Sequence, residues 1–172
     1  MGAVRPNDEQ PAPTLSDAEL HLIGEGNELR LYDKLGAQLR EVQGVHGTAF
    51  AVWAPNAKRV SVVGDFNDWD GRRHVMRRLG DSGVWEVFVP EVGQGAHYKF
   101  ELINARDRLL LKTDPMGRFF EKAPKSAAVV WDTSHFPWSD QAWLEQRATQ
   151  NALELPMSIY EVPLGSWRKH NE

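Results

Sequence analysis

The sequence predicts an all-β fold, an immunoglobulin-like antiparallel β-sandwich with short flanking helices. Three observations support it. Short apolar runs recur between Gly47 and Trp131 at the spacing of about 8 to 12 residues that marks two-sheet sandwiches. The runs are broken by Asp70-Gly71, Ser82-Gly83 and Gly93-Gln94-Gly95, all residue types that turn a chain. Within them side chains alternate: Tyr98, Phe100 and Leu102 share one face, and His97, Lys99 and Glu101 the other.

The elements follow in order. Residues 16–23 form a short helix with Ser16 as N-cap and Asp17 and Glu19 in its first turn, where negative charge is favoured, and Gly24 and Gly26 end it. Leu29, Leu31 and Tyr32 continue as an extended piece, and Gly36 and Gly44 punctuate a lead-in to residue 47. Strands are expected over 48–54, closed by Pro55-Asn56, then over 59–64, weakly over 74–79, and over 84–89, 97–103, 109–112 and 126–131. Residues 139–152 then take helical spacing, with Ser139 as N-cap and Trp143 and Leu144 as apolar contacts. The apolar stretch 157–162 reads as one further strand.

Composition removes several classes of function. A chain of 172 residues holds one domain of about 100 to 150 residues plus a tail. It has no cysteine, which excludes disulfides, thiolate metal sites and a cysteine nucleophile, and fits a cytoplasmic location. The first 13 residues are polar and proline-rich, and no window approaches the roughly 18 apolar residues of a membrane span. Twenty basic against 24 acidic residues give a net charge of -4, without the positive field that draws nucleic acid. The one basic cluster, Arg72-Arg73-His74-Val75-Met76-Arg77-Arg78, reads as a solvated edge or loop. Seven tryptophans are the compositional surplus. Trp53, Trp85 and Trp131 fall in or at the ends of strands as core or rim residues, while Trp138, Trp143 and Trp167 fall where a linker would pack.

The run Gly64-Asp65-Phe66-Asn67-Asp68-Trp69-Asp70-Gly71 follows the β-branched segment 59–63 and narrows the function most. A pyranose offers an apolar C–H face and a rim of hydroxyls, so a binder stacks an aromatic plane on the face and hydrogen-bonds the rim. Trp69 supplies the plane, and Asn67 and Lys99 supply hydrogen bonds, Lys99 from the non-core face of its strand. The same residues could instead build turns, with Trp69 capping the sandwich edge. Asp65 and Asp70 lie in one turn with no partner across a cleft, so they make no acid/base pair. The string also fails as a calcium loop, and the six histidines lack ligand spacing, so no metal and no cofactor are expected.

Four stretches taken together carry a resemblance. They are Phe50-Ala51-Val52-Trp53-Ala54-Pro55-Asn56-Ala57, then Val60-Ser61-Val62-Val63-Gly64-Asp65-Phe66-Asn67-Asp68-Trp69, then Ser82-Gly83-Val84-Trp85-Glu86, then Tyr98-Lys99-Phe100. The set resembles the family 48 carbohydrate-binding module, which precedes the catalytic barrel in members of the alpha-amylase superfamily. Leu31-Tyr32-Asp33-Lys34-Leu35-Gly36-Ala37 and Met157-Ser158-Ile159-Tyr160-Glu161-Val162, followed by Leu164-Gly165-Ser166-Trp167-Arg168, resemble the bacterial glycogen (1,4-alpha-glucan) branching enzymes in particular.

The resemblance implies a parent glycosyltransferase that moves alpha-1,4-glucan chains to alpha-1,6 positions with two carboxyl groups about 5 Å apart, by retaining chemistry. It places those carboxylates beyond residue 172, so the present chain should be inactive, and 157–172 becomes the start of a truncated (β/α)-barrel. The implied organisation is a flexible lead and short helix over 1–23, a carbohydrate-binding sandwich over 24–133, a helical linker over 134–156 and the barrel fragment over 157–172. The implied partners are alpha-1,4-glucan, glycogen or maltooligosaccharides and the parent's own barrel, with no nucleic acid or membrane. Two positions depart from the pattern. Pro163 stands where branching enzymes carry His, which removes a strand donor. The stretch Asp107-Arg108-Leu109-Leu110-Leu111-Lys112 before Asp114-Pro115 lacks the second tryptophan of glycogen-binding members, which implies millimolar affinity, about -4 kcal/mol. The alternatives are the same module before a debranching enzyme or a trehalohydrolase, or a sandwich that binds protein.

Overall fold

The computed structural model describes residues 11–150, 152–163 and 165. It divides into two compact units, Met1–Ser134 and His135–Glu172. The first unit consists of two antiparallel sheets around one core, with few helical residues.

Helix α1 (Asp17–Glu25) forms where its cap residues dictate. The Ser16 hydroxyl accepts from the Glu19 N–H, Glu19 reaches back to the Ser16 N–H, and Gly26 closes the helix in the left-handed conformation. Strands β1 (Gly36–Val42) and β2 (Val45–Trp53) then make a hairpin. Its two-residue turn has positive φ at both Gln43 and Gly44, the form whose twist matches the flanking strands. The glycines of the expected lead-in therefore bound a strand. Gly36 precedes alternation that had no strong β-branched signature, and Gln-Gly is a weaker hairpin signal than Asn-Gly.

Strand β3 (Ala57–Gly64) follows, and the expected weak strand over 74–79 is split between the two sheets. The Val62 N–H donates to the His74 carbonyl and the Met76 N–H to the Val60 carbonyl, which ties 74–76 to β3. Arg77 and Arg78 then form β4 (Arg77–Arg78) against Glu86 and Trp85 of β5 (Val84–Pro90). Sheet I has the order β1-β2-β5-β4. Sheet II is built on β6 (His97–Asn104), which pairs with β3 on one side. On its other side lie β7 (Leu109–Lys112) and, beside its first residues, β9 (Ala128–Val129), with β8 (Phe119–Phe120) beyond β9. The strand expected over 126–131 is thus only two residues long, and β8 carried too short a run to show a period.

The inner faces supply Phe50, Val52, Val87 and Val89 from sheet I and Val60, Val62, Tyr98 and Phe100 from sheet II. Burying side chains of this size contributes about 1.5 to 3 kcal/mol each before entropy is counted. A second, smaller cluster covers the outer face of sheet I with Leu15, Leu35, Ala51, Leu79 and Val84, and Leu20 and Ile23 of α1 pack on it. The lead expected to be flexible is thereby docked over its described residues. Glu86, fully buried on that face, accepts from the N–H groups of Thr14 and Leu15, from the Thr14 hydroxyl and from Arg77.

In the second unit α2 (Gln141–Ala148) has Asp140, not Ser139, as its N-cap. The Arg147 guanidinium lies 5.3 Å over the Trp143 ring. Residues 157–163 have no strand pairing among the described residues, since a strand needs a neighbouring edge to bond to. Trp167 lies outside the described residues.

Candidate carbohydrate-binding site

The run 64–71 becomes a compact loop that folds back over the outer face of sheet II. Its start is fixed by Gly64, where a Cβ would lie 2.2 Å from the His97 carbonyl oxygen, so only glycine lets β3 meet β6 this closely. At its far end Gly71 packs on the Glu101 carboxylate, which is paired with Arg59. Ser61 and Val63 lie on this outer face, opposite Glu101 and Lys99, yet both are buried.

Asn67, expected as a sugar ligand, is completely buried instead. Its Oδ1 accepts from the Gly64 N–H at 2.9 Å, and its Nδ2 donates to the Val62 carbonyl and to His74 Nδ1, each at 2.9 Å. These bonds tie the loop to β3 and to His74, so Asn67 positions the loop from beneath and cannot reach solvent. Burial lowers the pKa of His74, consistent with a neutral ring that accepts from Asn67.

Trp69 is the residue this scaffold holds out. It is 40% exposed, and its N–H donates to the Gly64 carbonyl. Asp68 and Trp69 both have left-handed backbone, φ 56° and 58°, which costs a bulky residue such as Trp about 1 to 2 kcal/mol. Strain of this kind persists where the surroundings over-determine it, and it gathers at binding sites. Lys99 projects from the same outer face, half-buried, and its Nζ donates to the Ser126 hydroxyl at 2.9 Å. The loop of Trp69 and the side chain of Lys99 therefore share one face, and Asn67 lies beneath it. Leu109 and Leu111 are exposed on that face too, opposite Ile103 and Glu101, where the expected pattern lacked an aromatic.

The charged groups nearby are paired. Asp70 is held well below the usual carboxylate range by its hydrogen bonds with the Arg72 side chain, and Arg73 pairs with Asp68. Asp65 Oδ2 lies 2.8 Å from His97 Nδ1. Neither aspartate is poised for acid/base work, and three arginines of the basic cluster, Arg72, Arg73 and Arg77, are committed to carboxylates. An apolar cavity of about 390 Å³ beside Trp53 contains one acid, Asp114, which burial pushes up. Its oxygens are taken by the Tyr98 hydroxyl at 2.5 Å and the Met116 N–H at 2.7 Å. Among the described residues no group of three or more His, Asp or Glu could hold a metal ion, and no helix is long and apolar enough to cross a membrane. Around the 64–71 loop the outer face of sheet II thus presents the exposed indole of Trp69 with hydrogen-bonding neighbours.

In comparison with known proteins, residues 34–117 match Carbohydrate-binding module 48, the isoamylase N-terminal domain. Residues 34–117 are a carbohydrate-binding module of family 48. The chain carrying this module is 59% identical to the 1,4-alpha-glucan branching enzyme GlgB of Rubrobacter xylanophilus over 91% of its own length and 22% of that protein. It is 54% identical to the GlgB of Paramagnetospirillum magneticum over 91% of its length and 21% of that protein. The chain thus spans about a fifth of the length of these relatives. It is also similar to a type I pullulanase from Bacillus subtilis complexed with maltose, at 27% identity and a TM-score of 0.49, over 61% of this chain and 14% of that one.

The module's matched segment contains the exposed Trp69 and the half-buried Lys99 of the expected site. The Phe119–Trp131 ring pair lies outside it, and the sequence pattern alone places Trp131 as packing and gives Phe119 no role. The available signal was weak, since two adjacent phenylalanines do not reveal which one faces outward.

Proposed function

We propose that this chain is the N-terminal alpha-glucan-binding module of a 1,4-alpha-glucan branching enzyme, placing polysaccharide near a catalytic barrel or bracing that barrel. The observation that carries the reading is Trp69, exposed on a strained backbone and held by a fully buried Asn67 beside Lys99. The indole stacks on the apolar face of a glucose unit, and the Lys99 ammonium donates to a hydroxyl once Ser126 shares it. The likeness to the GlgB proteins supports the parent activity, transfer of alpha-1,4 chains to alpha-1,6 positions. The sandwich is then of immunoglobulin-like type over 24–133 and 134–156 a linker, and 157–162 pairs as the first strand of the barrel. A cytoplasmic location fits the lack of cysteine.

Titration with maltoheptaose tests the site. Millimolar binding, about -4 kcal/mol, is expected to shift the Trp69 indole N–H resonance, and Trp69→Ala should abolish the shift while changing stability by only about 0.5 kcal/mol. An unmoved Trp69 resonance at about 10 mM ligand, roughly ten times such a Kd, would refute the reading. The chain should also leave the iodine stain of amylose unchanged.

A further inference from the structure

The outer face of sheet II carries a second aromatic plane. Phe119 of β8 and Trp131, just past β9, stack with ring centroids 4.8 Å apart and planes inclined by 26°. Phe119 is 48% exposed and Trp131 38%, so the stack is presented to solvent rather than packed into the core. Register places it on the outer face: Phe119 lies opposite Val129, which lies opposite His97, a neighbour of the core residue Tyr98.

Between this stack and the Trp69 loop runs a polar strip. His97 contacts Asp65 on the Trp69 side and approaches Glu121 at 3.8 Å on the other, and Lys99 reaches Ser126 one row away. The sheet order β3-β6-β9-β8 separates the loop's root on β3 from the stack by three strand spacings, about 14 Å, which no single pyranose ring covers. A surface that is aromatic at both ends and hydrogen-bonding between them matches a chain of sugar rings, whose apolar faces alternate with hydroxyl rims. A protein-binding hot spot would instead gather its apolar groups at the centre and leave a polar rim.

We propose that the Phe119–Trp131 stack is a second sugar platform, so that one linear alpha-1,4-glucan crosses sheet II from Trp69 over His97 and Lys99 to Trp131. The inference rests on the glucan-binding reading of Trp69. It supplies elsewhere on the face the second aromatic missing from residues 107–112.

Titrating the 172-residue chain with maltotriose and maltoheptaose, while following both indole N–H resonances, tests the proposal. Maltoheptaose should shift Trp69 and Trp131 together and bind about three- to tenfold more tightly than maltotriose, the gain of one further aromatic contact. Trp131→Leu, or Phe119→Leu if the first variant melts early, should remove that length advantage and leave the maltotriose shift at Trp69 unchanged. A saturating maltoheptaose shift at Trp69 with Trp131 unmoved, and the length advantage intact in Trp131→Leu, would overturn the second platform alone. If neither resonance moves, the glucan-binding reading fails and this inference falls with it.

Discussion

The outer faces of the two sheets differ in what covers them. On sheet I the chain's own lead and α1 close the face, with Leu15 and Leu35 over Ala51 and Val84, and Glu86 buried under Thr14. On sheet II the covering is partial. The loop 65–73 hides Ser61 and Val63 but leaves Trp69, Leu111, Phe119 and Trp131 exposed. Both sheets contribute residues to the inner core, so the asymmetry does not arise from the sandwich itself. It comes from where the chain spends its connecting segments: one seals a face, and the other mounts an indole on the opposite face. Exposed aromatic and aliphatic side chains gathered on one open face are the pattern expected of an interaction surface.

The largest test of this contrast removes Glu86. In Glu86→Ala the Arg77 guanidinium and the N–H groups of Thr14 and Leu15 lose a shared acceptor inside a closed face. Leaving one buried charge without its partner costs about 3 to 5 kcal/mol. Denaturant unfolding should register that loss, and proteases should cut the released lead. Maltoheptaose binding should persist in the folded fraction, because Glu86 lies on sheet I. Weakened binding at full folding would show that the faces are coupled and break the contrast.

A smaller effect on stability, but one directed at the open face, is expected for Asn67→Ala. It leaves the Gly64 N–H, the Val62 carbonyl and His74 Nδ1 short of a partner beneath the loop, at a cost of about 2 kcal/mol. The strained backbone at Asp68 and Trp69 should then relax, and maltoheptaose affinity should fall although Asn67 touches no sugar. Unchanged affinity in this variant would mean that Trp69 needs no scaffold beneath it.

How much of this was legible in the sequence follows from what each residue needs in order to be read. Lys99 was placed on the outer face by alternation alone, because β6 is eight residues long and its period is unambiguous. Trp69 stood out because an aromatic in a turn of Asp and Asn has no core to enter. The burial of Asn67 is not legible in the sequence, since a turn asparagine looks the same whether it points to solvent or is buried and hydrogen-bonded. The deciding partner, His74, comes seven residues later, after the chain has folded back on β3. The hairpin of β1 and β2 and the split of 74–78 between sheets depend on tertiary pairing that local pattern does not encode. The Phe119–Trp131 stack joins residues twelve apart through β8 and β9, each only two residues long, too short for any period to show.

The smallest expected effect concerns acid and only the closed face. The Glu19 carboxylate accepts from the Ser16 N–H and hydroxyl, and forms an ion pair with Lys34. The Lys34 hydrogen bond leads the causes that lower its pKa from 4.5 to about 2, with the Ser16 N–H next. A carboxyl depressed on folding stabilises the folded form fully above its unfolded value, and that contribution is lost as pH falls toward the folded value. Between pH 4.5 and 2, therefore, the capping box should open and α1 should loosen on sheet I. The amide resonances of Leu20 and Ile23, which pack on the closed face, should follow this change, and Glu19→Gln should flatten their response. The Trp69 indole resonance should not follow Glu19, because α1 packs on the other sheet. If it titrated together with Leu20 and lost that response in Glu19→Gln, the seal on sheet I would be helping to hold the loop on sheet II, and the two faces would have to be treated as one cooperative unit.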